Sequence, residues 1–153
     1  MARTRHTHKG FYKPYHPEKY AGNPTNIVYR SSWELLFCRY LDDHPDVISW
    51  SSEEFSIPYK SVDGRYHRYF PDFKVKFRDA TNREHTTVFE IKPQTQRSEP
   101  KMPLNGPNKA YLTEVLRYGK DLKKWEAATL YCKKNGWEFK LLSEKELGIK
   151  YGH

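Results

Sequence analysis

Cysteine is scarce: the 153-residue chain holds two, Cys38 and Cys132, too few for a disulfide scaffold and without the CxxC spacing of a zinc site. A reducing cytoplasm is the expected setting. Long apolar runs are missing as well. No stretch approaches the roughly 20 apolar residues of a membrane-spanning helix, and the opening MARTRHTHKG has no apolar core of the signal-peptide kind. The expectation is a chain that neither spans a membrane nor is secreted through such a peptide. Acids are outnumbered, with 19 Asp plus Glu against 27 Lys plus Arg, a net charge of +8. A field of that sign attracts polyanions, so nucleic acid heads the list of partners. Mean hydropathy is only −0.97, yet 4 Trp, 12 Tyr and 8 Phe can each bury a large area. One domain with an amphipathic, aromatic core is expected.

The first 25 residues carry Arg3, Arg5, Lys9, Lys13 and Lys19 against the single acid Glu18, with Phe11, Tyr12, Tyr15 and Tyr20 interleaved and no helical or strand period. They read as an irregular basic arm at 1–25, ahead of a domain at 26–153. From Ser31 or Ser32, with Ser32 as N-cap, the spacing of Trp33, Leu36, Phe37, Tyr40 and Leu41 predicts an amphipathic helix. An interrupted strand follows in VISWSSEEFSIPY, then a hairpin at Asp63-Gly64, then strands at 66–69, 73–77 and 86–91 in what reads as one meandering sheet. At 93–108, PQTQRSEPKMPLNGPN cannot be helix or strand interior and reads as a long loop. Helical pattern returns from Lys109 to about Asn135, with a break expected near Gly119 and Leu122, Trp125, Ala128, Leu130 and Tyr131 available for burial. WEFKLLSEKELG closes the chain as a strand and a short helical turn.

Chemistry concentrates in RYHRYFPDFKVKFRDATNREHTTVFEIKP. Pro71-Asp72 opens one strand and Glu90-Ile91-Lys92 closes another. The period of two sets Glu90 and Lys92 on one face and Ile91 on the other, buried one. Asp72 and Glu90 can converge from neighbouring strands. Paired carboxylates suit a hard divalent cation such as Mg2+, with Mn2+ able to substitute, and a lysine beside them can orient water or stabilise a phosphorus oxyanion.

This arrangement, with a helix bearing Glu34 before it and a helix then a strand after it, resembles the PD-(D/E)XK nuclease superfamily. The resemblance implies an α/β, restriction-endonuclease-like core with a central mixed β-sheet flanked by helices, and metal-dependent hydrolysis of DNA phosphodiester bonds. It assigns metal binding to Asp72 and Glu90, the catalytic lysine to Lys92, a further metal ligand to Glu34, and a polar residue near the site to Gln94. The order of segments over 28–147 is similar to the head-completion nucleases of T-even-type tailed phages, and more distantly to the endonuclease subunit of heteromeric transposases. That implies action in phage head completion or DNA end processing around packaging, with DNA and phage head or portal-region proteins as partners, in the host cytoplasm during assembly and associated with the virion.

Blander readings stand beside these. An acid in the first turn of a helix suits the macrodipole without any metal. Lys120, Lys123 and Lys124, with Arg117, form either a phosphate-facing edge or a solvated helix side. Arg3, Arg5, Lys9, Lys13, Arg65 and Arg68 are candidates for DNA contact, whereas the histidines form no zinc spacing and the cysteines sit on apolar helix faces. A non-catalytic DNA-binding or head-plugging protein remains the alternative of another class, beside a transposase-type subunit active only in a complex.

Overall fold

The alternation of apolar and charged residues in FKVKFR and HTTVFEI builds the centre of the molecule, seen in a computed structural model that describes residues 9–148. Its elements are β1 (Gly10–Tyr12), β2 (Ile27–Tyr29), α1 (Ser32–Asp43), β3 (Val47–Ser52), β4 (Ile57–Lys60), β5 (Tyr66–Tyr69), β6 (Phe73–Arg78), β7 (Glu84–Ile91), α2 (Lys109–Lys134) and β8 (Glu138–Leu142). Four strands pair in the order β3-β6-β7-β8, antiparallel except for the parallel β7–β8 pair that α2 connects. The fold is therefore α/β with a central mixed sheet flanked by two helices, as in restriction endonucleases.

Each helix takes one face of that sheet. On the α1 face, Phe37 meets Phe73 and Phe89 edge-on at 4.9 and 5.3 Å, in a cluster that includes Cys38, Leu41, Trp50, Val75 and Ile91. Burial of these rings stabilises the fold through the large apolar area each removes from water. α2 lies across β8 and β4, with Ala128 closing a second cluster of Ile57, Tyr59 and Tyr69. No helix among the described residues is long and apolar enough to cross a membrane.

Four local expectations change. The N-cap of α1 is Ser31, whose Oγ accepts from Glu34 N at 3.1 Å. Residues 10–20 are not irregular: β1 pairs with β2, and Tyr12 and Tyr20 enter the core, because Asp42 offers their segment a buried acceptor. The β4–β5 hairpin turns at Asp63-Gly64 as expected but forms its own two-stranded sheet; Glu53, in the left-handed region at φ 54°, leads the chain out of the sheet after β3. Helix α2 runs unbroken through Gly119 for 26 residues. A mid-helix glycine costs about 1 kcal/mol, which burial of Trp125, Ala128 and Cys132 offsets; Leu122 and Leu130, in contrast, point outward.

Candidate active site

Pairing of Phe73 with Phe89 sets Asp72 opposite Glu90 at one end of the β6–β7 ladder, and Ile91 N donates to Asp72 Oδ2 at 2.8 Å. The alternation works as expected from sequence: Ile91 joins the α1-face cluster, while Lys92 reaches the α2 side, its Nζ 3.5 Å from Asp121 Oδ2. Glu34 arrives from the first turn of α1. Its backbone N donates to the Ser31 cap at 3.1 Å, its Oε2 accepts from Ser31 Oγ at 3.4 Å, and its Oε1 accepts from Arg30 N at 3.3 Å. The cap therefore holds a buried carboxylate at the helix start, facing the end of the sheet.

The sequence reading did not single out Glu53. Its backbone N donates to Asp72 O at 3.1 Å, which pins the left-handed residue against the Pro71-Asp72 corner. Glu34, Glu53 and Asp72 then each offer an oxygen within 4.8 Å of the others. Glu90 stands outside that trio and beside it, its Oε1 accepting from Tyr69 Oη at 2.7 Å. The one signal that could have found Glu53 is the acid pair Glu53-Glu54 interrupting an apolar strand pattern.

Electrostatics separate this group from ordinary surface acids. Burial, then the charges of Glu90 and Glu34, hold the Asp72 carboxyl well above the usual carboxylate range. Burial raises Glu34, with Glu53 adding to the effect. Burial pushes Glu90 up to about 7 against the hydrogen bond from Tyr69 and the pull of Lys92 and Lys124. The local cation is Arg30, whose Nε donates to both oxygens of Glu53 at 3.0 and 2.9 Å. Three crowded hard-oxygen donors, with Arg30 on Glu53 as their one ion-paired cation among the described residues, are the donor set that a divalent ion satisfies.

The other candidates fall at varied distances from this centre. Gln94 donates its backbone N to Glu144 Oε1 at 2.8 Å and takes Arg97 on its side-chain oxygen at 3.3 Å, so it is engaged with the loop after β8. Lys124 lies 5.7 Å from the centre of the Tyr69 ring, next to the Glu90 partner. Lys120 and Lys123 are on the exposed side of α2, and Lys9, Lys13 and Arg65 are also exposed. Arg68 donates to Ser56 Oγ at 2.9 Å. Arg3 and Arg5 lie outside the described residues.

The sequence model of the family described as TnsA-like endonuclease N terminal matches residues 44–144, a span that holds Glu53, Asp72, Glu90 and Lys92. The chain belongs to that endonuclease family. It is also 34% identical over 150 residues to the head completion nuclease of Enterobacteria phage T4, an alignment covering 94% of this chain and 97% of that protein. The chain is accordingly a nuclease.

Proposed function

We propose that this nuclease is a magnesium-dependent DNA endonuclease acting in phage head completion, with Glu34, Glu53 and Asp72 holding the cation, Glu90 beside them and Lys92 at the reacting phosphate. The observation that carries this reading is the convergence of three carboxylates within 4.8 Å from three separate segments of the chain. When bound, a divalent cation supplies Lewis acidity and a lowered pKa for water. The protein's own groups do the rest. Tyr69 fixes Glu90 by donating to it, the backbone of Ile91 fixes Asp72, and Lys92 brings one positive charge to where negative charge grows on phosphorus during hydrolysis. The +8 net charge draws the polyanion in without reading its sequence. Head completion as the setting rests on the relative of that name.

The test is incubation of the purified protein with circular, linear and branched DNA in Mg2+, Mn2+ or chelator, beside Glu90→Ala and Asp72→Asn. Cleavage that needs metal and is lost in both variants is the expected result. Salt-sensitive binding with no new DNA ends in any metal would favour the structural alternative. The TnsA-like family match favours one further reading, an endonuclease that is silent alone and cuts once its partner is added.

A further inference from the structure

Helix α2 carries an acid in an unusual place. Asp121 sits in the run Lys120-Asp121-Leu122-Lys123-Lys124, which reads as a solvated helix side, yet its side chain is only 6% exposed. It faces the sheet at the end of β7. There its Oδ2 receives Lys92 Nζ at 3.5 Å and Arg117 Nη1 at 2.7 Å. Arg117, one turn earlier, is held from its other side by Glu114, which accepts from Nε at 3.1 Å and Nη2 at 2.9 Å.

A structural pairing of Asp121 with Arg117 alone does not account for this. An i, i+4 pair forms equally well on the outer face of a helix, where it costs no desolvation. Burying a carboxylate costs several kcal/mol unless its partners compensate, and the partner that only the buried position reaches is Lys92. That lysine needs restraint. It has a long flexible stem whose ordering is entropically costly, and the acid two residues back on its own strand face is Glu90. Left to itself, the ammonium would settle on Glu90 and occupy a carboxylate of the site. A second anion on the opposite helix draws it off.

We propose that Asp121 is a positioning residue, holding the Lys92 ammonium away from Glu90 and towards the substrate phosphate, with Arg117 locking Asp121 in turn. This rests on the reading of Lys92 as part of the active site. The relay Glu114–Arg117–Asp121–Lys92 ties the first half of α2 to the end of β7, so the placement of the lysine depends on a helix that contributes none of the trio of carboxylates.

The experiment is single-turnover cleavage of a DNA duplex in Mg2+ by the wild-type chain and by Lys92→Ala, Asp121→Asn, Asp121→Glu, Arg117→Gln and the double variant Lys92→Ala/Asp121→Asn. DNA affinity, melting temperature and the 1H–15N signal of the Lys92 ammonium in the metal-free protein are followed alongside. Lys92→Ala should lose on the order of 1000-fold in rate. Asp121→Asn should lose about 10- to 100-fold through a lysine misplaced by an ångström or so, with DNA affinity changed by less than about twofold and the ammonium signal gone. Asp121→Glu should recover part of the rate, and the double variant should cut no more slowly than Lys92→Ala alone. Should Asp121→Asn melt early, Arg117→Gln carries the same test, with a loss of about 3- to 10-fold. Wild-type cleavage by Asp121→Asn beside a dead Lys92→Ala would overturn the positioning role and leave the site intact. An Asp121→Asn loss that multiplies with that of Lys92→Ala would overturn it too, as a purely structural effect. Normal cleavage by Lys92→Ala would remove the lysine from the site and this proposal with it.

Discussion

Two aspartates, Asp42 fully buried and Asp72 half-buried, use a carboxylate in different ways. Asp42, at the end of α1, is fully buried and saturated: its carboxylate accepts from Tyr12 Oη at 2.6 Å, Tyr15 N at 2.7 Å and His16 N at 3.0 Å. Asp72 takes one backbone donor, from Ile91, and is otherwise surrounded by Glu34, Glu53 and Glu90. A buried carboxylate whose lone pairs are met by donors is a pin that fixes chain segments together. One crowded by like charges is a cost that folding alone does not recover. The difference teaches that burial does not mark a site in this molecule; unmet negative charge does.

Exchanging each aspartate for a neutral residue tests that distinction most sharply. Asp72→Asn should reduce cleavage by on the order of 1000-fold while the melting temperature holds or rises, since one of several repelling charges is gone. Asp42→Ala should do the reverse. Three donors lose their acceptor, at about 3 kcal/mol, which lowers the melting temperature by roughly 6 to 12 °C for a chain of this size, and the folded fraction should still cut at the wild-type rate. Calorimetry and a cleavage assay on the same samples read both. Loss of activity in Asp42→Ala beyond its loss of folded protein would erase the contrast.

Glu53 sharpens it next, because its side chain is in the trio and its backbone holds the left-handed turn. Glu53→Gln keeps the backbone and removes the charge, so cleavage should fall about 10- to 100-fold with little change in stability. Glu53→Gly should be at least as stable, as glycine adopts a φ of 54° freely, and equally impaired. Full activity in either variant would confine the metal to the other acids.

The response to metal should depend on pH with a definite sign. Glu90 has a folded-state value of about 7 against an ordinary 4.5, so the native protein binds more protons than the unfolded chain between those values. Its burial therefore costs nothing below about 4.5, and stability falls as pH rises towards 7. Asp72 and Glu34 shift in the same direction. Magnesium at about 100 times its dissociation constant should add about 2.7 kcal/mol at pH 8 and far less at pH 5, as a melting series in Mg2+ and in chelator would show. Equal shifts at both pH values would mean that the cation binds elsewhere.

The sequence carried the strands that deliver Asp72, Glu90 and Lys92, because a period of two fixes which side chains share a face however the sheet is ordered. It also carried both helices and the Asp63-Gly64 hairpin. What stayed hidden depended on contacts between distant segments. Nothing local in SSEEF announces a left-handed glutamate, a conformation set by its bond to Asp72 O. Asp121 is disguised by the lysines around it, and only the position of β7 shows which way it faces. Tyr12 lies 30 residues from Asp42, so the folding of the basic N-terminal segment onto the domain had no signature in either stretch.

A pair of tyrosines gives the finest version of the comparison. Tyr12 donates to Asp42 and Tyr69 donates to Glu90 at nearly the same length, 2.6 and 2.7 Å, and both hydroxyls are raised in pKa by burial and by the acid they serve. Removing one oxygen atom from each keeps the ring packing. Tyr12→Phe should cost about 1 kcal/mol of stability and nothing in cleavage, for Asp42 keeps its two backbone donors. In Tyr69→Phe the Glu90 carboxylate loses the hydroxyl that donates to it, so the melting temperature should fall by at least as much. Glu90 would then be free to turn towards Lys92 or Lys124, and cleavage should drop about 3- to 10-fold. If the two substitutions instead produced the same profile, Glu90 would be another structural pin like Asp42, and the site would end at Glu34, Glu53 and Asp72.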